Sequence, residues 1–219
     1  MSIYFLLLLI MGLLLYQGLI SSLFYAPRKI KIISVIALIL MIARYIALII
    51  LFVVKNLNYL YLLKFGVYTN FLCLPICGVI SIMIFAKNNK IKLEKILFIC
   101  AILFLVYGVV VYKSTSNINI SNICGYTIEL QFKDYFYVTL LIINSIFVIK
   151  GIELFNTSFS NKLGDIMVII ASCITLLSVI LTSTNPGFEW LVMGDISWII
   201  TINYGLIKFK RRSSKKIKN

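Results

Sequence analysis

The sequence contains no histidine, only 3 prolines and only 7 acidic residues among its 219 positions. Without histidine, the chain lacks the commonest general base, the commonest transition-metal ligand and the usual switch near neutral pH. No phosphate-binding or dinucleotide-binding glycine motif occurs, and no hydrophobic segment carries a pair of carboxylates. We therefore expect no catalytic residue, no metal site and no cofactor.

Cysteine is present but is poorly placed for disulfide or redox chemistry. The five cysteines include no CxxC pair, and only Cys124 falls outside the hydrophobic segments. A disulfide framework or a thiol oxidase needs cysteines that can meet, so neither is expected. The other four are predicted to act as small apolar residues within helices.

Long hydrophobic runs dominate the chain, which is 62% hydrophobic, with a mean hydropathy of +1.05. Soluble domains are about 45–50% apolar, and about 20 apolar residues cross the hydrocarbon core of a bilayer as a helix. Lipid admits only helices or closed barrels, and these runs lack the alternation of barrel strands. The sequence therefore predicts an all-α bundle of seven transmembrane helices. The predicted spans are 3–24, 30–54, 64–86, 96–112, 135–154, 163–184 and 190–208.

The formal net charge of +14 follows from where the basic residues lie between the spans. With the N-terminus outside and the C-terminus cytoplasmic, 16 of the 21 basic residues lie inside, four lie outside and Arg44 lies within a span. This asymmetry satisfies the positive-inside rule. We predict a seven-helix domain over 1–208 and a basic cytoplasmic tail over 209–219. The abundance of Ile, Asn and Lys indicates a bacterial, multi-pass protein of the cell membrane.

The basic tail is predicted to contact anionic lipid headgroups, at about 1 kcal/mol for each basic residue near the surface. No aromatic residues alternate with its charges in the manner of a nucleic-acid-binding segment, so no nucleic-acid partner is expected. The residues predicted to contact lipid are Lys210, Arg211, Arg212, Lys215 and Lys216.

Charged and polar residues at membrane depth mark the candidate site. Arg44 lies about 15 Å below the outer surface and Asp195 about 8 Å, from the rise per helical residue. Each lone charge costs about 2.5–3.5 kcal/mol near the bilayer centre, so we expect the two to pair. Asn70, Tyr107 and Tyr45 reach a similar depth and complete a predicted cluster. Two interpretations stay open: a structural cluster that joins helices, or a ligand pocket that opens outward.

Three further features are predicted from single residues or short patterns. Pro75 in the middle of the third span predicts a helix kink. Asn144 and Asn203 are expected to form hydrogen bonds between helices. The loop 113–134 is too small to fold alone, and its alternating stretch 126–132 predicts a short strand or an interfacial segment.

Three stretches carry a resemblance to a known family. Residues 64–87 contain a mid-span proline and close on Phe-Ala-Lys, 135–150 have an aromatic start and a long aliphatic run, and 195–212 end in a basic exit. They resemble helices of the N-terminal seven-transmembrane sensor region of bacterial histidine kinases. The sequence departs from that family at 114–117, which is Ser-Thr-Ser-Asn without a histidine, and no kinase domain is present. The resemblance implies a sensor that acts through a cytoplasmic signalling partner.

Three functions are therefore compatible with the sequence. The first is a non-enzymatic sensor that recognises a ligand or partner at its outer half. The second is a small-molecule transporter or the substrate-binding membrane subunit of one, for which broken helices or an inverted repeat would be typical. The third is an immunity or assembly factor.

Overall fold

A computed structural model describes residues 3–53, 61–86, 93–121, 124–157, 160–184 and 189–218. These ranges contain helices and a single pair of strands. The elements are α1 (Ile3–Tyr25), α2 (Arg28–Val53), α3 (Lys64–Val67), α4 (Asn70–Ala86), α5 (Leu93–Lys113), β1 (Ser116–Ser121), β2 (Gly125–Leu130), α6 (Lys133–Phe155), α7 (Lys162–Thr184) and α8 (Leu191–Lys218).

Membrane residence is apparent from the helices and their outer surfaces. Five helical segments are long and apolar enough to cross a bilayer: α1, α2, Tyr61–Ala86, α6 and α7. Large aliphatic side chains such as Leu13, Ile142 and Leu177 are exposed on the outside of the bundle. Lipid solvates such side chains, whereas a water-soluble bundle of this size would bury them. The predicted all-α membrane bundle is confirmed at this level.

The fourth and seventh predicted spans differ from these five. In α5 the described apolar part, Cys100–Lys113, is shorter than a full span. Helix α8 carries Gly194, Asp195 and Asn203, and these polar or small residues are buried toward the other helices. These three residues therefore lower the hydropathy of α8 while lying within the bundle. The count of seven spans and the orientation of the termini stay predictions.

Helix α8 extends without interruption into the predicted basic tail. Its 28 residues correspond to about 42 Å at 1.5 Å per residue. The side chains of Lys210, Arg211, Arg212, Lys215 and Lys216 lie outside the described part of the structure, so lipid contact by the tail stays a prediction.

The third predicted span is divided into two helices. Helix α3 ends at Val67, Tyr68 and Thr69 form a turn, and α4 begins at Asn70. The Thr69 hydroxyl donates to the Gly66 carbonyl oxygen at 2.7 Å, a local bond that competes with helix continuation. Helix α4 runs on through Pro75. The kink at Pro75 stays a prediction, and the break at Tyr68 and Thr69 was not predicted from the sequence.

Helix α8 packs against α1, α4 and α7 in the centre of the bundle. The Asn203 amide nitrogen donates to the Leu14 carbonyl of α1 at 2.9 Å, which confirms the predicted interhelical bond. The Asn144 amide nitrogen instead donates to Leu140 within α6 at 2.9 Å. The interhelical hydrogen bond predicted for Asn144 is therefore wrong for its amide nitrogen, which donates to the preceding turn of its own helix.

The loop between α5 and α6 forms an antiparallel hairpin of β1 and β2. The strand predicted within 126–132 is therefore confirmed over most of its length. Gly125 has a φ of +76°, and a Cβ atom there would lie 3.1 Å from the Phe52 Cα of α2. Tyr68 fastens the other side, because its hydroxyl donates to the Ile128 carbonyl at 2.8 Å and accepts the Leu130 N–H at 3.2 Å. The hairpin is thus docked on α2 and on the turn between α3 and α4.

Candidate functional site

A buried ion pair joins α2 to α8. Arg44 is 1% exposed and Asp195 is fully buried, and the Arg44 Nε atom lies 3.0 Å from Asp195 Oδ2. The Tyr45 hydroxyl donates to the same carboxylate oxygen at 3.1 Å. The structure therefore brings together the two charges that were predicted to pair from their depths in the membrane. Tyr45 lies beside them as a neutral donor. Pairing removes much of the cost of two isolated charges within the bundle.

Arg44 also holds the break between α3 and α4. Its Nη1 atom donates to the backbone carbonyl of Val67. In a continuous helix that carbonyl would accept the N–H of residue 71, but the Phe71 N–H bonds the Tyr68 carbonyl at 3.2 Å. A side chain from α2 thus replaces a backbone donor at the helix end.

Tyr107 on α5 supports the same break through a second carbonyl. Its hydroxyl donates to the carbonyl of Phe65. The regular helical donor would be the Thr69 N–H, which bonds the Gly66 carbonyl at 3.3 Å instead. Tyr107 therefore belongs to the site through the backbone of α3.

Glu189 is part of the site and was missed by the sequence reasoning. It immediately precedes the predicted seventh span, and its carboxylate oxygen lies 3.9 Å from Arg44 Nη2, with the side chain 19% exposed. Burial raises the pKa of the Glu189 carboxyl above its ordinary value, and the nearby Arg44 opposes this rise. The sequence signal that could have identified Glu189 is its place at the outer end of a span that carries a second acid. One guanidinium therefore faces two carboxylates.

Several polar atoms of the cluster have no hydrogen-bond partner within the described ranges. Asn70, the first residue of α4, is fully buried, and both its amide nitrogen and its amide oxygen lack such a partner, as does Asp195 Oδ1. A buried polar group left unpaired costs about 1–3 kcal/mol. These atoms are the hydrogen-bonding capacity that the cluster leaves unused in this arrangement.

The buried hydroxyl groups elsewhere in the bundle do not extend this cluster. Ser81, Ser172 and Thr175 each donate at 2.8 Å to a carbonyl four residues earlier in their own helix. Such local bonds satisfy the hydroxyl within one helix.

The chemistry available at the cluster is recognition by hydrogen bonds and charge. Across the described ranges, no group of three or more His, Cys, Asp or Glu side chains is arranged to hold a metal ion. The cluster offers an amide, a free carboxylate oxygen and a guanidinium with a distant second carboxylate.

No protein-family model matches this sequence, and no curated protein matches it either. The resemblance to kinase sensor regions therefore rests on the three stretches described above and stays a prediction.

Proposed function

We propose that this chain is a non-enzymatic sensor module with seven transmembrane helices, an outer N-terminus and a cytoplasmic C-terminus, in a bacterial cytoplasmic membrane. It recognises a ligand or partner at the outer half of the bundle and acts through a cytoplasmic signalling partner. The recognition site is the polar cluster of Arg44, Tyr45, Asn70, Tyr107, Glu189 and Asp195.

The observation that carries this proposal is the continuity of α8. Asp195 lies in the second turn of this helix and contacts Arg44, whereas the other end of the helix reaches the basic tail. At about 42 Å the helix is longer than the hydrocarbon core of about 30 Å. A displacement at the cluster therefore moves a rigid element that extends beyond the opposite face of the membrane.

The break between α3 and α4 supplies two competing arrangements. The Val67 carbonyl binds Arg44 in the present one, and would bind the Phe71 N–H if the helix became continuous. A ligand that contacts Asn70 and the free Asp195 oxygen better in one arrangement than in the other shifts the population between them. Loss of the Val67 bond would also release one restraint on the start of α8.

The sensor proposal predicts that a change at the cluster alters distances at the opposite end of the bundle. Spin labels at K150C on α6 and K208C on α8, in a chain whose own cysteines are replaced, report that distance by pulsed electron resonance. We expect E189Q to shift the distance distribution, because it removes one of the two carboxylates that face Arg44. The matched control is E129Q in the hairpin, where Glu129 pairs with Lys133 at 3.2 Å. Identical distributions in wild type, E189Q and E129Q would refute the relay.

Transport is the second candidate, because the divided helix α3–α4 is a feature of many transporters. Proteoliposomes that contain only this protein test it with labelled amino acids and sugars. Uptake above that of protein-free vesicles, with loss of uptake in N70L, would favour a carrier. A shift in E189Q without any uptake would favour the sensor.

A further inference from the structure

A groove lies on the lipid-facing side of the bundle, between α5 and α6 and over α4. Its outer chamber has a volume of about 170 Å³ and is lined by Phe71, Tyr107 and Tyr135 among others. Its inner chamber, of about 320 Å³, is lined by Pro75, Ile143 and other apolar residues. Leu103 lines both chambers, so they adjoin at this side chain and are together called the groove.

We propose that this groove binds one acyl chain of a membrane glycerophospholipid, whose phosphate headgroup lies at the hairpin end. Tyr107 is the one residue that this groove shares with the polar cluster, and occupancy of the groove does not depend on the sensor proposal.

The polarity of the lining changes along the groove, as polarity changes along a lipid molecule. Every side chain that lines the inner chamber is apolar. Residues that carry a hydroxyl group, Tyr107, Tyr135 and Thr139, line only the outer chamber. An acyl chain therefore matches the inner part, and the ester region of a lipid matches the outer part.

The surroundings of the groove are hydrocarbon. Helix α5 packs against α3 and α4, and the groove separates it from α6. Exposed aliphatic side chains flank the opening, with Val106 on α5 and Ile142 and Ile146 on α6. A chain can therefore enter sideways from the bilayer without crossing water.

The charges near the hairpin end fit a phosphate group. Lys64 begins α3, Lys113 ends α5 and Lys133 begins α6. Among the described residues outside the polar cluster, the acids at this end are Glu129, which pairs with Lys133 at 3.2 Å, and the exposed Asp134. Glu189 and Asp195 instead face Arg44 within the cluster. Outside the polar cluster, three cations against two carboxylates leave a local positive balance, which attracts an anionic headgroup.

Trp198, which packs behind the floor of the inner chamber, provides a fluorescent reporter. The Phe147 ring lies so close to Gly78 of α4 that an added Cβ atom would overlap it. The other side of this ring packs edge-on against Trp198, with centroids 5.5 Å apart. The Trp198 indole therefore lies one ring away from the groove. Because Trp198 is fully buried, it is shielded from lipid elsewhere.

The test measures quenching of Trp198 by brominated lipid, because bromine quenches only at short range. Full-length protein carrying W190F, with Trp198 as its one tryptophan, is placed in nanodiscs containing phospholipid brominated in mid-chain. We expect saturable quenching that falls at least about twofold when L103F fills the groove. The matched control, I102F, adds the same ring at a position that is 45% exposed to lipid, and should leave quenching unchanged.

A second blocking variant and a second probe complete the design. I143F fills the groove from α6 and should act like L103F, and melting curves identify any variant that has lost its fold. Equal quenching in L103F, I143F and I102F, or no quenching at all, would overturn the proposal. Brominated free fatty acid in unbrominated phospholipid tests the source. Quenching by the fatty acid that equals that by the phospholipid would overturn the assignment to phospholipid.

Discussion

At the scale of single residues, Arg44 connects parts of the chain that are far apart in sequence. Its guanidinium contacts the Asp195 carboxylate, the backbone carbonyl of Val67 and, at longer range, Glu189. Each contact involves a group that is buried or nearly so. Removal of one partner therefore leaves another group uncompensated, which costs more than the pair itself contributes.

The first prediction concerns this pair. D195N should lower the free energy of unfolding by about 3–5 kcal/mol, because Arg44 then lacks its full carboxylate partner within the bundle. Unfolding in mixed micelles with increasing dodecyl sulfate measures the loss. D134N is the matched control, since Asp134 is exposed, and should change stability by no more than about 0.5 kcal/mol.

Exchange of the two charges separates direct pairing from other roles of Arg44. R44D alone should fail to accumulate in the membrane, because it places two carboxylates side by side. R44D combined with D195R should recover part of the lost protein. Equal losses for the single and double variants would contradict direct pairing.

Sequence reasoning found Asp195 because two lone charges at comparable depth each carry a cost that pairing relieves. It could not find Val67, since a backbone carbonyl becomes an acceptor for a side chain only where the helix is interrupted. Glu189 was missed because it precedes the predicted span, where an acid is ordinarily solvated.

At the scale of elements, the hairpin and the divided helix form one unit through Tyr68. The Tyr68 hydroxyl bonds both Ile128 and Leu130 of β2. The same residue lies in the turn that separates α3 from α4. Movement of the hairpin and movement of the break are therefore connected by one side chain.

The second prediction follows from these bonds. Y68F should raise hydrogen exchange at the Leu130 amide by about fivefold or more, since two bonds are lost, each contributes about 0.5–1.5 kcal/mol, and 1.4 kcal/mol is tenfold. Mass spectrometry of the hairpin peptide measures it. Y126F, on β2 itself, is the control and should leave exchange within about twofold. Similar exchange in both variants would show that Tyr68 does not fasten the hairpin.

The third prediction concerns the close approach of α4 and α6. G78A should destabilise the bundle by about 1–3 kcal/mol, because the new methyl group overlaps the Phe147 ring. G108A on α5 meets nothing within 4 Å and should stabilise its helix by up to about 1 kcal/mol. Thermal melting of the two variants in the same detergent compares them, and a melting temperature for G78A at or above that of G108A would contradict this account.

Elements were predictable where a local property decides them and not elsewhere. Hydropathy predicted the five long apolar helices, because the cost of transfer into lipid acts on each segment separately. The break at Tyr68 and Thr69 contains neither glycine nor proline, and its freed carbonyls are satisfied by Arg44 and Tyr107 from other helices. Local sequence cannot encode such distant partners, so this break was not predicted.

At the scale of the whole molecule, the two ends of the bundle differ in chemistry. The hairpin, the break and the charge cluster lie at one end, and the start of α7 and the basic extension of α8 lie at the other. The distribution of Lys and Arg predicts that the hairpin end is the outer one. The helix contacts themselves depend on complementary shapes, such as Phe85 against Gly164, which hydropathy does not encode.

The fourth prediction tests the orientation. In a chain without its own cysteines, I120C on the exposed hairpin should react with a membrane-impermeant maleimide in intact cells. K150C, at the far end of α6, should react only after the membrane is permeabilised. Both side chains are more than half exposed, so access depends on the side of the membrane. The reverse pattern, or reaction of both in intact cells, would contradict an outer hairpin and a cytoplasmic C-terminus.

Tyr107 has one end in each of the two sites. Its hydroxyl holds the Phe65 carbonyl at the break, and its ring lines the outer chamber of the groove. If both sites bind as proposed and Tyr107 couples them, binding at one site changes the affinity of the other. Linkage makes this effect reciprocal: a lipid that changes the affinity of the cluster for its ligand by some factor has its own affinity changed by the same factor when that ligand binds. The composition of the surrounding bilayer would then set the threshold at which the cluster responds.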